Sequence, residues 1–206
     1  MKPWLFNLLA CPICKSFPLK LFIFSFETRE ELFEKYLKSY ENNDLSYKSE
    51  NQIPEIIEGD ELYIRDNIII EKKPLKQYLD KLISILNELI HIIDKTPYTL
   101  SKQCFNLAYK DIKNEFIEFS KNIKNKDAKK LLPELIFLNR LMVETEIEAG
   151  LLLCEKCNRW YPIIDTIPRM LPDEYRSKEE ELEFLKAHKD SLNENFLDLD
   201  LKPFKL

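Results

Sequence analysis

The fold of this 206-residue chain is decided by two short motifs, Cys11-Pro12-Ile13-Cys14 and Cys154-Glu155-Lys156-Cys157. A Cys-x-x-Cys turn directs two sulfur atoms to one side of a tight loop, and two such turns supply the four ligands of a tetrahedral ion. Two pairs are a stronger signal than one, because a single pair is also typical of redox dithiols. The motifs therefore predict one structural zinc site.

Residues 15–153 separate the two motifs, whereas a zinc ribbon usually has about 15–20 residues between its cysteine pairs. Lengthening a flexible loop about sevenfold adds only ~1.7 kcal/mol of closure entropy. Structural zinc contributes on the order of 10 kcal/mol when its binding is coupled to folding. The two ends are therefore predicted to form one module around the metal, with the intervening chain as an insertion.

The pattern of residues predicts an α+β protein with three parts. Residues 1–27 plus 146–172 carry both motifs and short runs of aromatic and β-branched residues, which predict a small zinc-ribbon-like β module. Residues 28–145 are predicted to form a large, mainly helical insertion. Residues 173–206 are predicted to be an acidic, helical C-terminal extension whose helix is exposed.

Local patterns place the individual elements. Thr28-Arg29-Glu30-Glu31 has the arrangement of a capping box, which opens a helix. Apolar residues then recur at helical spacing in several segments. The predicted helices cover 28–40, 74–93, 99–124 and 127–147, and the predicted strands cover 17–26, 56–64, 66–70, 151–153 and 160–164.

Composition excludes several functions. The chain has only two glycines, Gly59 and Gly150, so it has no glycine-rich turn for a P-loop, a dinucleotide pocket or an S-adenosylmethionine pocket. Its net charge of -5 provides no basic footprint for strong binding to nucleic acid. It shows neither a secretory signal nor an apolar run of membrane-spanning length. We expect a cytoplasmic protein that does not contact membranes and whose paired cysteines are metal ligands.

The remaining reactive residues do not form a catalytic constellation. Cys104 is predicted to be a small buried hydrophobe, His91 a core or boundary residue, and His188 a solvated residue of the charged tail. A closed four-sulfur shell has no open position for a substrate, so no catalytic residue is predicted. Three cations near the motifs are expected to offset the negative charge of four thiolates on a divalent ion: Lys15, Lys156 and Arg159.

The order of motifs at the two ends resembles that of a known family. The first end has Met1-Lys2, Leu5, Asn7, Leu9 and Cys11. The second end has, in order, Glu146 to Gly150, the second cysteine pair, Trp160-Tyr161-Pro162-Ile163, and Ile167 to Pro172. In this the chain is similar to the small zinc-binding activator subunit shared by several methyltransferases, the tRNA methyltransferase subunit 112 family.

The resemblance implies a non-catalytic adaptor with a structural zinc ion. Such subunits form heterodimers with S-adenosylmethionine-dependent methyltransferases that modify tRNA, rRNA or a translation release factor. They cover an apolar surface of the enzyme, keep it soluble and promote cofactor binding. The resemblance therefore implies protein–protein interaction and a role in tRNA methylation, with RNA contacted only through the partner.

The chain departs from the family pattern at several places. Asn158 stands where the family often has glycine, although asparagine also tolerates the left-handed conformation. Asp165-Thr166 replaces the glycine of a hairpin, so a wider turn is expected. The insertion is longer than in the family, and residues 173–206 extend beyond its usual end.

A partner-binding surface is predicted beside the metal. Residues 163–171 are expected to form an edge strand whose free N–H and C=O groups accept a partner sheet. The apolar residues around it suit either such an interface or the module's own core. The predicted interface residues are Trp4, Leu5, Leu8, Trp160, Ile163, Ile167, Met170 and Leu171.

Two other functions remain open on sequence grounds. A nucleic-acid-binding zinc ribbon of transcription or translation predicts salt-sensitive RNA binding by the isolated chain. A rubredoxin-like electron carrier predicts iron in the same four-sulfur site and visible absorbance. Motif order, acidity and the lack of catalytic residues favour the adaptor.

Overall fold

The computed structural model shows an α+β protein with a mixed β-sheet. The chain divides into two compact units, which we call the sheet unit and the helical unit. The sheet unit consists of Met1–Thr28, His91–Pro97 and Glu146–Leu206, and the helical unit of Arg29–Ile90 and Tyr98–Thr145. The structure describes residues 1–45, 54–57, 61–121, 123, 127–192 and 194–206.

The sheet unit is built on five strands in the order β5-β1-β6-β7-β8. Leu21 of β1 lies opposite Leu152 of β6 in an antiparallel pair, so this pair joins the two ends of the chain. The strand β5 runs parallel to β1, and the other neighbours are antiparallel. The short helix α1 Pro3–Phe6 precedes them in the sequence. The strands are β1 Lys20–Phe26, β5 Ile92–Asp94, β6 Ile147–Cys154, β7 Arg159–Ile164 and β8 Ile167–Pro168.

The strand β5 corrects one prediction. The helix predicted over 74–93 ends as helix α3 at Asn87, and a 3-10 turn Glu88–His91 leads into β5. Ile92 and Ile93 are β-branched, and they pair with Leu21 and Phe22 of β1. Tertiary pairing therefore overrides a helical apolar pattern in this segment.

Gly150 lies where β1 and β6 approach each other closely. A Cβ atom at this position would lie 2.6 Å from the carbonyl oxygen of Phe22. That separation is too short for any side chain, so the close approach of the two strands requires glycine here.

The extension covers one face of the sheet. Its elements are a 3-10 turn Asp173–Tyr175, helix α7 Lys178–Ala187, a 3-10 turn Lys189–Ser191 and helix α8 Glu194–Leu197. Buried side chains from both layers form one apolar cluster. The sheet contributes Phe22, Phe24, Leu151, Leu153 and Trp160, and the extension contributes Phe184, Leu185, Leu192, Phe196 and Leu201.

Two predictions for the extension are therefore wrong. Its helix is not simply exposed, because Phe184 and Leu185 are buried in the cluster while most of its acidic residues face solvent. His188 is not solvated, because its ring lies 4.7 Å from the ring of Phe24 and 4.6 Å from that of Phe184. The segment has so many charged residues that its sequence predicts an exposed helix, although Phe184 and Leu185 form a narrow apolar stripe.

The helical unit contains α2 to α6 and a small antiparallel sheet in the order β2-β3-β4. Helix α2 packs on α4 and α6, and α3 packs on α5. A π-helical turn, Ala108–Ile112, joins α4 to α5, and another, Arg140–Glu144, follows α6. The bounds are α2 Glu30–Glu41, β2 Glu55–Ile57, β3 Tyr63–Arg65, β4 Lys73–Pro74, α3 Leu75–Asn87, α4 Thr99–Leu107, α5 Lys113–Ser120, a 3-10 turn Ala128–Leu131 and α6 Leu132–Asn139.

Helices are present within all four segments predicted to contain them, and the strand predicted over 56–64 corresponds to β2 and β3. Residues 58–60 of that prediction, and 122 and 124–126 of a predicted helix, lie outside the described residues. The last predicted helix ends before 147, where β6 begins. These outcomes follow the apolar periodicity closely, except at the segment ends.

Two local predictions in this region are wrong. The segment 66–70 is not a strand, because the Asp66 carboxylate accepts hydrogen bonds from the backbone N–H groups of Ile68 and Ile69 and bends the chain. Thr28 does not cap α2, whose N-cap is Arg29. The Thr28 hydroxyl instead accepts a hydrogen bond from the backbone N–H of Glu146 at 2.7 Å.

Candidate metal centre

The sheet unit brings the four predicted ligands together. Their sulfur atoms all lie within 4.8 Å of one another. The Sγ atoms of Cys11 and Cys157 are 3.7 Å apart, and those of Cys14 and Cys154 are 3.4 Å apart. A tetrahedral zinc ion with Zn–S bonds of about 2.3 Å separates its sulfurs by about 3.8 Å, whereas a disulfide bond is about 2.05 Å long. The set therefore fits a tetrahedral four-thiolate ion.

Each half of the site is a tight turn at one end of the sheet. Cys154 is the last residue of β6 and Cys157 precedes β7, while the N–H of Cys11 donates to the carbonyl of Ser16 at 3.0 Å. The residue after each pair is left-handed, with φ of 58° at Lys15 and 55° at Asn158. Asparagine suits that conformation well. The prediction for position 158 is thus confirmed.

Two of the sulfurs differ in how readily they ionise. The Tyr161 hydroxyl lies 3.3 Å from Cys11 Sγ. Burial disfavours the Cys11 thiolate, yet hydrogen bonds from Tyr161 and from the backbone of Cys14 and Ile13 lower the pKa of Cys11 to about 6. Burial raises the pKa of Cys154 to about 12, so this sulfur ionises when a divalent cation compensates its charge.

Of the three cations expected near the site, Arg159 makes the clearest contribution. Its guanidinium donates to Asp173, with Nη2 2.9 Å from Oδ2, and bonds to Cys157. Asp173 first and Cys157 second raise the pKa of Arg159, so the side chain stays charged. Lys15 donates to the carbonyl of Pro12 at 2.8 Å, and Lys156 is exposed. The sequence did not identify Tyr161 as a hydrogen-bond donor to a cysteine sulfur, because its motif indicated only a strand.

The fifth cysteine lies in the helical unit. Cys104 is buried, its Sγ donates to the carbonyl of Phe33 at 3.7 Å, and burial raises its pKa to about 12. The prediction of a small buried hydrophobe is confirmed. Within the part of the chain that the structure describes, the only group of metal-ligating side chains is the four-cysteine set.

The predicted interface residues fall into three groups. Leu8, Ile167 and Leu171 are exposed, with 67%, 62% and 45% of their surface accessible. Trp4, Leu5 and Met170 are half-buried. Trp160 and Ile163 are both 0% exposed. Trp160 belongs to the cluster beneath the extension, so neither of these last two presents a side chain to a partner in this structure.

The edge strand predicted over 163–171 is shorter than expected. It comprises the end of β7 and the two-residue strand β8, joined by Asp165 and Thr166. Ile164 lies opposite Ile167, so the turn has two residues, with φ of 49° and 65°. This is the geometry of a tight hairpin, and the prediction of a wider turn is wrong.

The edge of β7 beside the metal is closed by the chain itself. The Trp160 N–H donates to the Lys202 carbonyl at 3.4 Å, and Arg176 Nη2 donates to the Trp160 carbonyl at 2.7 Å. The Arg169 N–H donates to the carbonyl of Pro162 at 2.8 Å. The predicted free backbone groups are therefore already paired at these positions.

A set of four cysteine sulfurs at one end of a mixed sheet, two from each cysteine pair, defines a protein with a closed structural metal centre. The family model described as Trm112p-like protein matches residues 2–165, and the chain belongs to this family. This match confirms the family resemblance of the two chain ends. The family is one of non-catalytic activators of methyltransferases. The match stops before the extension.

No curated protein and no solved structure matches the chain. None of the helices among the described residues combines the length and apolar character that crossing a bilayer requires.

Proposed function

We propose that this chain is a cytoplasmic zinc-binding adaptor that forms heterodimers with S-adenosylmethionine-dependent methyltransferases acting on tRNA, rRNA or a translation release factor. The family match over residues 2–165 is the observation that carries this proposal. The adaptor keeps its partner soluble and promotes binding of the methyl donor. It contributes no catalytic residue, and it contacts RNA only through the enzyme.

The metal in this proposal is zinc, held by Cys11, Cys14, Cys154 and Cys157 in a zinc-ribbon-like module. Four thiolates at tetrahedral spacing are a donor set that zinc prefers. When bound, the ion supplies a structural cross-link between the two chain ends. Metal analysis of the purified chain tests its identity. A coloured protein with one iron per chain would contradict zinc and favour the electron-carrier hypothesis.

The exposed apolar residues of the sheet unit are proposed to contact the partner. Leu8, Ile167 and Leu171 are large and accessible, and Trp4, Leu5 and Met170 are half-buried. Exposed apolar side chains of this size are typical of residues that become buried on association. Trp160 and Ile163 contribute to the core of the unit in the free chain.

The first experiment is purification of the tagged full-length chain from its native cells, followed by identification of bound proteins by mass spectrometry. One or more methyltransferases at near-equal stoichiometry are expected. Recovery of ribosomes or RNA polymerase without a methyltransferase would overturn the proposal and favour the nucleic-acid-binding zinc ribbon.

The second experiment measures the affinity of the recovered enzyme for S-adenosylmethionine with and without the chain. The chain is expected to increase that affinity.

Ile167→Asp should weaken the heterodimer, because it places a charge among the proposed contacts. Ile70→Asp is the matched control, since Ile70 is 75% exposed and lies in the helical unit. Equal loss in both variants would contradict the proposed surface.

A further inference from the structure

The last residues of the chain lie along β7 as an added strand segment. Lys202 forms a parallel bridge with Arg159. The Lys202 N–H donates to the carbonyl of Asn158 at 2.9 Å, and its carbonyl accepts from the N–H of Trp160 at 3.4 Å. The indole Nε1 of Trp160 donates to the carbonyl of Phe204 at 3.0 Å. We call residues 199–206 the tail.

One fully buried side chain anchors the tail. Leu201 is 4% exposed and packs in the cluster that contains Phe22, Leu153 and Trp160, and the half-buried Leu199 packs against the same cluster. Lys205 and Leu206, at the end of the chain, are exposed. The contact therefore combines main-chain hydrogen bonds with aliphatic anchoring, which is how an extended peptide binds the edge of a sheet.

The rest of the extension is held more firmly. Arg176 is buried and donates from Nε to Glu181 at 2.8 Å, with a second bond between Nη2 and the same carboxylate. Its guanidinium carbon lies 5.3 Å from the ring centre of Trp160. Helix α7 adds Phe184 and Leu185 to the buried cluster. The tail contributes Leu201 to the same cluster but makes no buried ion pair of this kind among its described residues, so we expect it to be the part of the extension that exchanges most readily.

The tail occupies a position that an intermolecular strand requires. Asn158 follows the second cysteine pair directly, and its carbonyl and the Trp160 N–H are the groups that the tail uses. The Trp160 N–H has one proton, so it cannot donate to a second segment while the Lys202 carbonyl accepts it. The family match ends at residue 165, so the tail lies outside the matched region.

We propose that the tail is an internal occupant of a strand-binding edge on β7, and that an extended segment of the partner replaces it during association. The incoming segment bonds to the Asn158 carbonyl and the Trp160 N–H, and it inserts a leucine-sized side chain in place of Leu201. The identity of the partner as a methyltransferase rests on the proposed function. The tail thereby lowers the apparent affinity for the partner until it is released.

Amide hydrogen exchange of the full-length chain tests replacement directly. Without a partner, the amides of Lys202 and Trp160 are expected to be protected. With the saturating partner enzyme, Lys202 should lose protection while Trp160 keeps it, because a new segment now accepts the Trp160 N–H. Unchanged protection of Lys202 in the complex would overturn the proposal.

Substitutions in the tail test its effect on affinity. Leu201→Asp removes the anchor and is expected to tighten partner binding about tenfold, because the competing occupant is released. Leu206→Asp is the matched control, since Leu206 is 44% exposed and belongs to the same tail. Weaker or unchanged binding by Leu201→Asp would overturn the proposal. Should that variant lose its metal or its near-ultraviolet circular dichroism, Leu201→Ala serves with the same expectation.

A peptide separates this inference from the proposed function. The synthetic peptide of residues 198–206 is added to the full-length Leu201→Asp chain without any enzyme. Binding that restores protection of Trp160 supports the strand-binding edge, even if no methyltransferase is ever recovered. Failure of the peptide to bind, in a chain that does bind a methyltransferase, overturns the edge and leaves the adaptor function intact.

Discussion

The sheet unit and the helical unit are stabilised in different ways. In the sheet unit, strands from distant parts of the sequence pair, as Leu21 does with Leu152, and the four sulfurs gather at one end. In the helical unit, amphipathic helices bury apolar residues around one polar network. Strand pairs between distant segments carry a loop-closure cost that a metal cross-link can offset, whereas helices form from local contacts and pack by their apolar faces.

The polar network of the helical unit centres on Asp66, which is 2% exposed. Its carboxylate accepts hydrogen bonds from the Tyr78 hydroxyl at 2.6 Å and from Asn139 Nδ2 at 2.9 Å. Burial raises the pKa of Asp66, and these hydrogen bonds oppose the rise. The network ties the loop before β4 to helices α3 and α6 without a metal ion.

Removal of the metal should produce the largest effect and the clearest separation of the two units. Cys154→Ser, or a strong chelator, is expected to abolish up to about 10 kcal/mol of stabilisation, because metal binding is coupled to folding. Hydrogen exchange should show loss of protection in β1, β6 and β7 with α3 and α5 still protected. Cys104→Ser is the control with the metal site intact. Equal loss of protection in both units would show that the metal does not stabilise the sheet unit selectively.

The converse change targets the helical unit. Asp66→Ala removes the acceptor of the buried Tyr78 hydroxyl and one of the hydrogen bonds of Asn139, so we expect a loss of about 3 kcal/mol in the free energy of unfolding. Chemical denaturation followed by circular dichroism measures it, and zinc affinity should be unchanged. Asp80→Ala on the exposed face of α3 is the matched control. A similar cost for both aspartates would show that the network contributes little.

The hydroxyl group beside Cys11 offers a finer test of the metal centre. Tyr161→Phe removes the hydrogen bond to Cys11 Sγ and should weaken zinc binding about tenfold, as loss of outer hydrogen bonds to ligands commonly does. Competition with a coloured chelator measures the affinity. Tyr175→Phe is the control, because Tyr175 is 70% exposed. If zinc affinity is the same in both variants, the contact has no role in holding the ion.

The smallest expected effect concerns pH. Burial lowers the pKa of His188 below its ordinary value of 6.5, so the unfolded chain binds more protons than the folded chain in that range. The resulting contribution to stability is present above pH 6.5 and is lost as the pH falls through the folded pKa. Denaturation at pH 7.5 and 5.5 should show the fall, and His188→Phe should reduce it. An identical pH profile for that variant would contradict the assignment.

The sequence predicted the features that depend on local spacing. Cysteine spacing identified the four ligands, and apolar periodicity identified the helices of the helical unit. Strand β5 was missed because Ile92 and Ile93 fit a helical pattern as well as a strand, and only pairing with β1 decides between them. A local pattern of residues carries no information about which distant strand a segment will pair with.

Predictions about exposure were less successful for the same reason. Trp160 is among the residues that suit either a partner surface or the core, and in the free chain the extension buries it. The extension has many charged residues, so its sequence predicts an exposed helix even though Phe184 and Leu185 are buried. Lys202 and Arg176 bond to the edge of β7 from distant positions in the sequence. The periodicity of apolar residues cannot predict such contacts.

The nesting of the helical unit between the cysteine pairs also sets an order of events during synthesis. Every residue of that unit, up to Thr145, is made before Cys154. At about 5–20 residues per second, the ribosome needs on the order of ten seconds to pass from the first pair to the second. The last residue of the helical unit is added shortly before the second pair, and until then Cys11 and Cys14 form an incomplete chelate. Completion of the four-cysteine site is therefore expected to follow synthesis of the whole helical unit.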